Sequence, residues 1–338
     1  MFQEMNKRIE LLGLIPVIKI RNAQQAVQVG KALLAGGINA AEVCFRVNAD
    51  VENRDAALQN IADGIAALRK TYPDMLVGAG TVINSSLAQK AILAGAQFIV
   101  APGFNPDTVD YCIKKNVPVY PGVSSASEIE QALSRNLTLV KFFPVEALGG
   151  VKTLETFQKA FPVLKFMPSG GINSENVGKY MQSDAVAAVG GSWMVRSSLI
   201  EAEKWDEIVT LSEEAEKAML GFEFAHLGIN YKNEKECKKG TQDFAVFGFK
   251  ERETPISWFC GNNNTEAFEL MKQNGRGKNG HIGILVYSIE RAMEYLKPFG
   301  YSLVPETIQW CGEPEKSAMF FVYLTKDIAG FDIHLKRK

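Results

Sequence analysis

The run LVKFFP at residues 139–144 places a single lysine, Lys141, inside an apolar segment that ends at a proline. An ammonium group in such surroundings is costly to desolvate, so burial favours the neutral amine. A neutral amine is a nucleophile toward carbonyl groups. The alternative is a lysine that extends its head group to solvent or pairs with a core carboxylate. The run is predicted to be a buried strand, with Lys141 as its candidate functional residue.

This strand belongs to a pattern in which a short apolar run, a turn and a segment of helical period alternate. Eight apolar runs are predicted as strands, at residues 14–20, 39–46, 76–82, 97–102, 117–123, 137–143, 164–169 and 185–191. Near-continuous apolar strands separated by single helices are typical of a parallel sheet covered by helices. Eight such units in about 200 residues favour a closed (β/α)8 TIM barrel over an open doubly wound sheet.

Length and composition set further bounds. The 338 residues predict two domains, a barrel over residues 1–220 and a smaller α+β domain over residues 221–338. The net charge of -1 argues against nucleic acid or an anionic membrane as the main partner. The first 20 residues lack both a signal-peptide core and a membrane span, which predicts a cytoplasmic protein. The five cysteines contain no Cys-x-x-Cys pair and are predicted to be reduced thiols.

In a barrel, chemistry belongs at the C-terminal ends of the strands. Glu42 and Arg46 end the second strand at an even spacing, so both point to the same side. Glu42 near Lys141 would supply the proton transfers of a Schiff-base cycle, and Arg46 with the Thr81 hydroxyl would bind a carboxylate. The alternatives are a structural ion pair between Glu42 and Arg46, and a helix-capping role for Thr81 before Asn84.

Two glycine pairs, Gly170-Gly171 and Gly190-Gly191, follow the seventh and eighth strands, and Ser192 follows the second pair. Many barrels bind phosphate at these strand ends with backbone N–H groups, and glycine allows the close approach. The pairs therefore predict a phosphate or similar anion site, although glycines also form ordinary turns. No histidine lies in this part of the chain, so its chemistry must run without imidazole.

At this point the chain resembles the 2-keto-3-deoxy-6-phosphogluconate and 4-hydroxy-2-ketoglutarate aldolases (KDPG and KHG aldolases). The resemblance covers about residues 8–215 and is carried by the motifs AEVCFR, GAGTV, APG, VKFFPVEALGG, PSGGI and GGSW. It implies a class I aldolase in which Lys141 forms a Schiff base with a 2-keto acid and Glu42 is the general acid and base. It also implies pyruvate as a product, no cofactor for this reaction, and a homotrimer.

The resemblance also implies the residues that bind substrate. Arg46 and Thr81 would hold the pyruvate carboxylate, while Pro102 and Phe143 would shape the pocket. The phosphate-binding residues would be Gly170, Gly171 and Ser192. Three positions depart from the residues that are frequent in the family without removing a catalytic group: Cys44, Phe45 and Ser169.

Two other functions compete with the aldolase. A barrel isomerase or epimerase acting on a sugar phosphate would explain the glycine pairs, but it gives Lys141 no covalent task. A metabolite sensor would use the C-terminal domain to modulate a barrel of reduced activity.

The last part of the chain contains an internal repeat. FAHLGI at residues 224–229 matches GHIGI at residues 280–284, and a helix-like segment and three strand-like runs follow each. The first of these runs are DFAVFGF at residues 243–249 and SLVPETIQW at residues 302–310. Paired βαβββ units resemble the vicinal-oxygen-chelate superfamily, the fold of glyoxalase I.

In that superfamily the first and last strands of each unit supply metal ligands. The resemblance therefore implies a divalent transition metal such as Zn, Ni, Fe or Mn on four residues, His226, Glu269, His281 and His334. The fourth position usually holds glutamate, and members without metal exist. A binding, regulatory or oligomer-forming domain, with its histidines as plain strand residues, is the alternative.

Overall fold

The structure of the chain is a computed structural model that describes residues 1–47, 51–262 and 265–338. It divides into two compact units, Met1–Met219 and Leu220–Lys338. Among the residues described, no helix is both long enough and apolar enough to cross a membrane.

The first unit alternates strands with helices. Its strands are β1 (Leu14–Ile18), β2 (Ala40–Cys44), β3 (Leu76–Gly80), β4 (Ile99–Val100), β5 (Val119–Tyr120), β6 (Gly122–Val123), β7 (Leu139–Phe142), β8 (Lys165–Pro168) and β9 (Val189–Gly191). Its helices are α1 (Gln3–Leu12), α2 (Ala23–Ala35), α3 (Arg54–Thr71), α4 (Ser85–Leu93), α5 (Pro106–Lys114), α6 (Ala126–Leu133), α7 (Val151–Ala160), α8 (Val177–Met181), α9 (Ser197–Glu201) and α10 (Trp205–Leu220).

The strands of this unit pair in parallel, in the orders β5-β4-β3-β2-β1-β9 and β6-β7-β8. Pro121 separates β5 from β6, since proline has no N–H for the ladder, but its carbonyl accepts a hydrogen bond from the Lys141 N–H at 3.0 Å. A parallel bridge between Ser169 and Gly190 joins β8 to β9. Eight strand positions therefore close into a ring, which confirms the predicted (β/α)8 barrel.

Helix α1 fills the N-terminal end of the barrel. Its Ile9 is buried in a cluster that includes Ala40, Leu76 and Leu139, the first residues of three strands. The hydroxyl of Tyr120 also donates to Asn6 Oδ1 at 3.0 Å. Because apolar side chains occupy this end, the opposite end of the barrel, where the strands terminate, is the one available for chemistry.

The described residues of the second unit form one eight-stranded sheet and two α-helices. Its strands are β10 (Glu223–Asn230), β11 (Lys250–Glu253), β12 (Ser257–Asn262), β13 (Thr265–Met271), β14 (Gly280–Val286), β15 (Gln309–Trp310), β16 (Met319–Ile328) and β17 (Phe331–Arg337), and its helices are α11 (Glu234–Ala245) and α12 (Ile289–Leu296). The strand order is β11-β12-β13-β10-β14-β17-β16-β15. The two βαβββ repeats thus meet where β10 pairs with β14, in antiparallel register.

Two strand predictions in this unit are wrong. The first half of DFAVFGF belongs to α11, whose Cys237, Gly240 and Thr241 are buried at helical spacing, and the strand that follows is the charged segment β11. Within SLVPETIQW only β15 is a strand, because a 3-10 turn at Pro305–Thr307 interrupts the run. Proline lacks the N–H that a strand ladder needs.

Candidate active site and a histidine cluster

A buried lysine and a buried carboxylate meet inside the barrel. Lys141 on β7 is 7% exposed and Glu42 on β2 is 1% exposed. Lys141 Nζ donates to Glu42 Oε1 at 3.5 Å. The second carboxylate oxygen, Glu42 Oε2, is buried and has no hydrogen-bond partner among the described residues. The pair therefore leaves one oxygen of the carboxylate available to a substrate or a water molecule.

Small neighbours make room for this pair. On β3, Gly80 lies beside the Glu42 side chain, and a Cβ at this position would overlap the carboxylate. Lys141 lies opposite Gly122 on β6, which also has no side chain. The ring of Phe143, which is 39% exposed, has its centroid 5.6 Å from Lys141 Nζ. An aromatic face near the amine supplies an apolar wall without blocking access to it.

Thr81 sits directly after β3 in an unusual conformation. Its φ is 59°, in the left-handed region that is rare for a β-branched residue. Its hydroxyl lies 3.3 Å from Cys44 Sγ at the end of β2. The helix-capping role belongs to Asn84, whose side chain accepts a hydrogen bond from the Leu87 N–H at 2.9 Å. Strained backbone of this kind is concentrated at functional sites.

Two other predicted residues lie near strand ends. Arg46 follows β2 and is exposed. Glu42 forms its ion pair with Lys141, not with Arg46 as the alternative interpretation expected. Pro102 follows β4 and is partly exposed. Among the described residues, neither Arg46 nor Pro102 forms a hydrogen bond or an ion pair with the Lys141 amine.

The loop after β8 contains two glycines with left-handed backbone. Gly170 and Gly171 have φ values of 95° and 93°, a conformation that glycine adopts without strain. Their carbonyls accept hydrogen bonds from the Glu146 N–H at 3.2 Å and from Asn176 Nδ2 at 3.0 Å. Their own N–H groups donate to no described residue. Free backbone N–H groups of this kind bind anions.

The second predicted anion loop lies beside the first. The Ser169–Gly190 bridge brings the ends of β8 and β9 together, and Ser192 follows β9 with an exposed side chain. The loops after the seventh and eighth strands are therefore neighbours, as a shared anion site requires.

The three histidines of the chain form one cluster in the second unit. His226 Nε2 lies 3.0 Å from His281 Nε2 and 3.2 Å from His334 Nε2. Glu269 Oε2 lies 3.1 Å from His281 Nε2 and 3.2 Å from His226 Nε2. These four residues come from β10, β14, β17 and β13, which are adjacent in the sheet. Ligand atoms of the three histidines lie within 4.8 Å of one another, and Glu269 Oε2 contacts two of these imidazoles, those of His226 and His281.

The electrostatics of the cluster are set by burial and by mutual contact. Burial lowers the pKa of His334 to about 3, and positive charge on His226 and His281 would act in the same direction. Burial by itself raises the pKa of Glu269, but hydrogen bonds with His226, His281 and Ser257 lower it well below its usual range. At pH 7 the cluster thus combines a carboxylate with a neutral imidazole at His334.

Sequence reasoning missed three residues that support these sites. Gly80 leaves space for the Glu42 carboxylate, Cys44 contacts the Thr81 hydroxyl, and Ser257 Oγ donates to Glu269 Oε1 at 2.7 Å. Ser257 holds one oxygen of Glu269 and so turns the other toward the histidines. None of the three has a spacing signal of its own, because each acts on a residue of a neighbouring strand.

A lysine beside a carboxylate, both buried in a closed parallel barrel, fits the chemistry of a class I aldolase. The sequence matches the family described as KDPG and KHG aldolase over residues 5–211. The chain is 40% identical to the 2-dehydro-3-deoxy-phosphogluconate aldolase of Treponema pallidum, with 61% of this chain and 93% of the relative covered. It is 36% identical to the KHG/KDPG aldolase of Escherichia coli K12, with 60% and 89% covered.

A solved structure is similar in the same part of the chain. It is the KDPG aldolase of Legionella pneumophila, with pyruvate captured as a covalent carbinolamine intermediate. Its identity to this chain is 35% and its TM-score is 0.57, with 62% of this chain and 97% of the other covered. The chain belongs to the KDPG and KHG aldolase family, and the expected family resemblance is confirmed. The family match ends at residue 211, before the second unit begins.

Proposed function

We propose that this enzyme reversibly cleaves 2-keto-3-deoxy-6-phosphogluconate to pyruvate and glyceraldehyde 3-phosphate, 4-hydroxy-2-ketoglutarate to pyruvate and glyoxylate, or both. The observation that carries the proposal is the buried pair of Lys141 and Glu42, with 3.5 Å between Nζ and Oε1. The names of the relatives, KDPG and KHG/KDPG aldolase, support both substrates. An isomerase would use the same barrel but would leave Lys141 without a covalent role.

The geometry supports a Schiff-base cycle. The Lys141 amine attacks the 2-keto carbon, and loss of water gives an iminium ion that can accept an electron pair. Glu42, through its unpartnered Oε2 or through a water molecule, removes the proton of the 4-hydroxyl group. The C3–C4 bond then breaks, the aldehyde leaves, and the electron pair moves into an enamine of pyruvate. Protonation of the enamine carbon and hydrolysis release pyruvate and regenerate the amine.

The remaining predicted residues have separate tasks in this proposal. The guanidinium of Arg46 and the hydroxyl of Thr81 bind the carboxylate common to both substrates. The pocket wall is formed by Pro102 and Phe143. The phosphate of the longer substrate is bound by Gly170, Gly171 and Ser192, and the free N–H groups of the two glycines support this assignment. The homotrimer and the cytoplasmic location stay predictions from the family resemblance and the sequence.

Incubation with pyruvate and sodium borohydride tests the covalent step. Reduction should trap the pyruvate iminium as a stable secondary amine, which peptide mass spectrometry is expected to locate on Lys141. Lys141→Met should give no adduct at this peptide, whereas Lys159→Met, at an exposed lysine of α7, should give the wild-type adduct. Absence of an adduct from folded wild-type protein would reject the Schiff-base mechanism.

We also propose that the histidine cluster of the second unit binds a divalent transition metal, Zn, Ni, Fe or Mn. Metal–nitrogen bonds of 2.0–2.1 Å in a tetrahedral site place the ligand atoms about 3.3 Å apart. The separations of 3.0 and 3.2 Å from His226 Nε2 to the other two imidazole nitrogens, and of 3.1 and 3.2 Å from Glu269 Oε2 to His281 and His226, are close to that value, and the ligand atoms of the three histidines lie within 4.8 Å of one another. Imidazole nitrogens suit Zn, Ni and Fe, and a carboxylate oxygen suits Mn. The unit then serves as a metal-dependent binding or catalytic module of the vicinal-oxygen-chelate type.

Metal analysis tests this second proposal. Chelator-treated protein is expected to bind one Zn²⁺ or Co²⁺ per chain, and His281→Ala is expected to weaken binding by at least about 100-fold because it removes a ligand. Glu266→Gln, three residues from Glu269 on β13, serves as the matched control and should bind metal like the wild type. Isothermal titration calorimetry and elemental analysis provide the measurements. Unchanged affinity in His281→Ala would contradict the assignment of the ligands.

A further inference from the structure

The repeated pattern His-x-Gly occurs in both halves of the second unit, as His226 with Gly228 and as His281 with Gly283. Strands β10 and β14 pair so that His226 lies opposite Gly283 and His281 lies opposite Gly228. Directly opposed residues of an antiparallel pair project from the same face of the sheet. His226 and His281 therefore each face a position without a side chain in the other repeat.

The space above these glycines is taken up by imidazole rings. A Cβ at Gly228 would overlap the His281 ring. A Cβ at Gly283 would lie 2.8 Å from His226 Cε1 and 2.9 Å from His334 Nε2. Non-bonded carbon atoms are most stable at about 3.5–4.0 Å, so a methyl group at either position would push the rings away.

Backbone conformation does not account for the glycines. Neither Gly228 nor Gly283 has a positive φ, unlike Gly280 in the same unit with a φ of 130°. Alanine is also the better strand residue, since glycine in a strand interior loses more conformational freedom on folding. Space for the imidazole rings is the remaining requirement at both positions.

We propose that Gly228 and Gly283 are positioning residues of the metal centre, each leaving space for the imidazole of the facing histidine in the opposite repeat, and that Gly283 also leaves space for His334 of its own repeat. This inference rests on the metal centre proposed above. Its consequence is reciprocal. A methyl group added at Gly283 in the second repeat displaces His226 of the first, together with His334, and a methyl group at Gly228 in the first repeat displaces His281 of the second.

Two measurements on the full-length chain test the inference. Gly283→Ala is expected to reduce Co²⁺ affinity by at least about 100-fold, since two ligands move, and to change the visible absorption of any Co²⁺ that still binds. Gly312→Ala is the matched control, because a Cβ there meets only Ser317 at the ordinary distance of 3.5 Å. Aldolase activity of the first unit and the circular dichroism spectrum should be unchanged in both variants.

The second measurement needs no metal. The chain has three histidines, so an NMR spectrum of the ¹⁵N-labelled imidazoles of the metal-free protein contains three spin systems. Gly283→Ala should shift the signals of His226 and His334, and Gly228→Ala should shift those of His281. Unchanged imidazole signals in both variants would overturn the inference, even if wild-type protein binds metal. If wild-type protein bound no metal, the proposed metal centre would be wrong. Shifted imidazole signals in the two variants would still show that the glycines leave space for the rings.

Discussion

Lys141→Met is expected to lower kcat for cleavage of either keto acid by at least about four orders of magnitude, because methionine fills the same volume and cannot form an iminium ion. The coupled assay for pyruvate release provides the measurement. Residual binding should persist, since the carboxylate and anion sites do not involve Lys141. The loss should therefore fall on kcat, with KM changed much less.

The same variant should also be less stable. Glu42 would stay buried at 1% exposure without its cation, and removing one partner of a buried pair costs about 3–5 kcal/mol. Activity must therefore be compared at a temperature where circular dichroism shows both proteins folded. Lys159→Met, at an exposed site on α7, should match the wild type in stability and rate. A folded Lys141→Met protein with more than a few per cent of wild-type kcat would contradict covalent catalysis at this residue.

Glu42→Gln is expected to lower kcat by about 10²- to 10⁴-fold, the usual contribution of a general acid–base group. Glutamine has nearly the same shape and still offers an oxygen to Lys141, but it cannot take the proton of the 4-hydroxyl group. Pyruvate and borohydride should therefore still label Lys141, at a reduced rate. This one substitution would then abolish most of the cleavage activity while leaving iminium formation at Lys141 detectable.

The control for this prediction is Glu155→Gln, at an exposed carboxylate of α7. It should retain wild-type kcat and wild-type labelling. If Glu42→Gln also retained most of the wild-type kcat, another group would have to transfer the proton. Glu42 would then not be the general base, and its unpartnered Oε2 would have no role in catalysis.

Periodicity in the sequence was sufficient to predict the barrel, because its strands are buried on both faces and read as short continuous apolar runs. It also placed Lys141 and Glu42 at strand positions from which a barrel brings them together. The observed strands are shorter than predicted, as in Ile99–Val100 against residues 97–102, since hydrogen-bonded pairing ends before the apolar pattern does.

The missed features depend on neighbours across strands. Gly80 is required because the Glu42 side chain on β2 occupies the space beside it. Gly228 and Gly283 are required because imidazole rings from neighbouring strands occupy the space above them. Strand register determines these contacts, and the apolar pattern of one strand does not show which residue of a neighbouring strand lies opposite. The error at residues 243–249 has another cause. Phe244 faces the sheet from a helix, and its apolar neighbours Val246 and Phe247 are exposed in the turn that follows, so the apolar run was not a buried strand.

Closure of the ring has a consequence for how the protein is made. Strand β1 pairs with β9 through Ile15 and Gly190. The first strand of the barrel therefore lacks one of its two neighbours until the last strand has been synthesised. Contacts so distant in sequence form slowly, because a long loop must close before they contribute stability. The edge of β1 that pairs with β9 therefore has no partner until residues 189–191 have been synthesised. We therefore expect the unpaired edge of β1 to be most prone to aggregation while the barrel is being synthesised, and this risk to fall once β9 has emerged and paired with it.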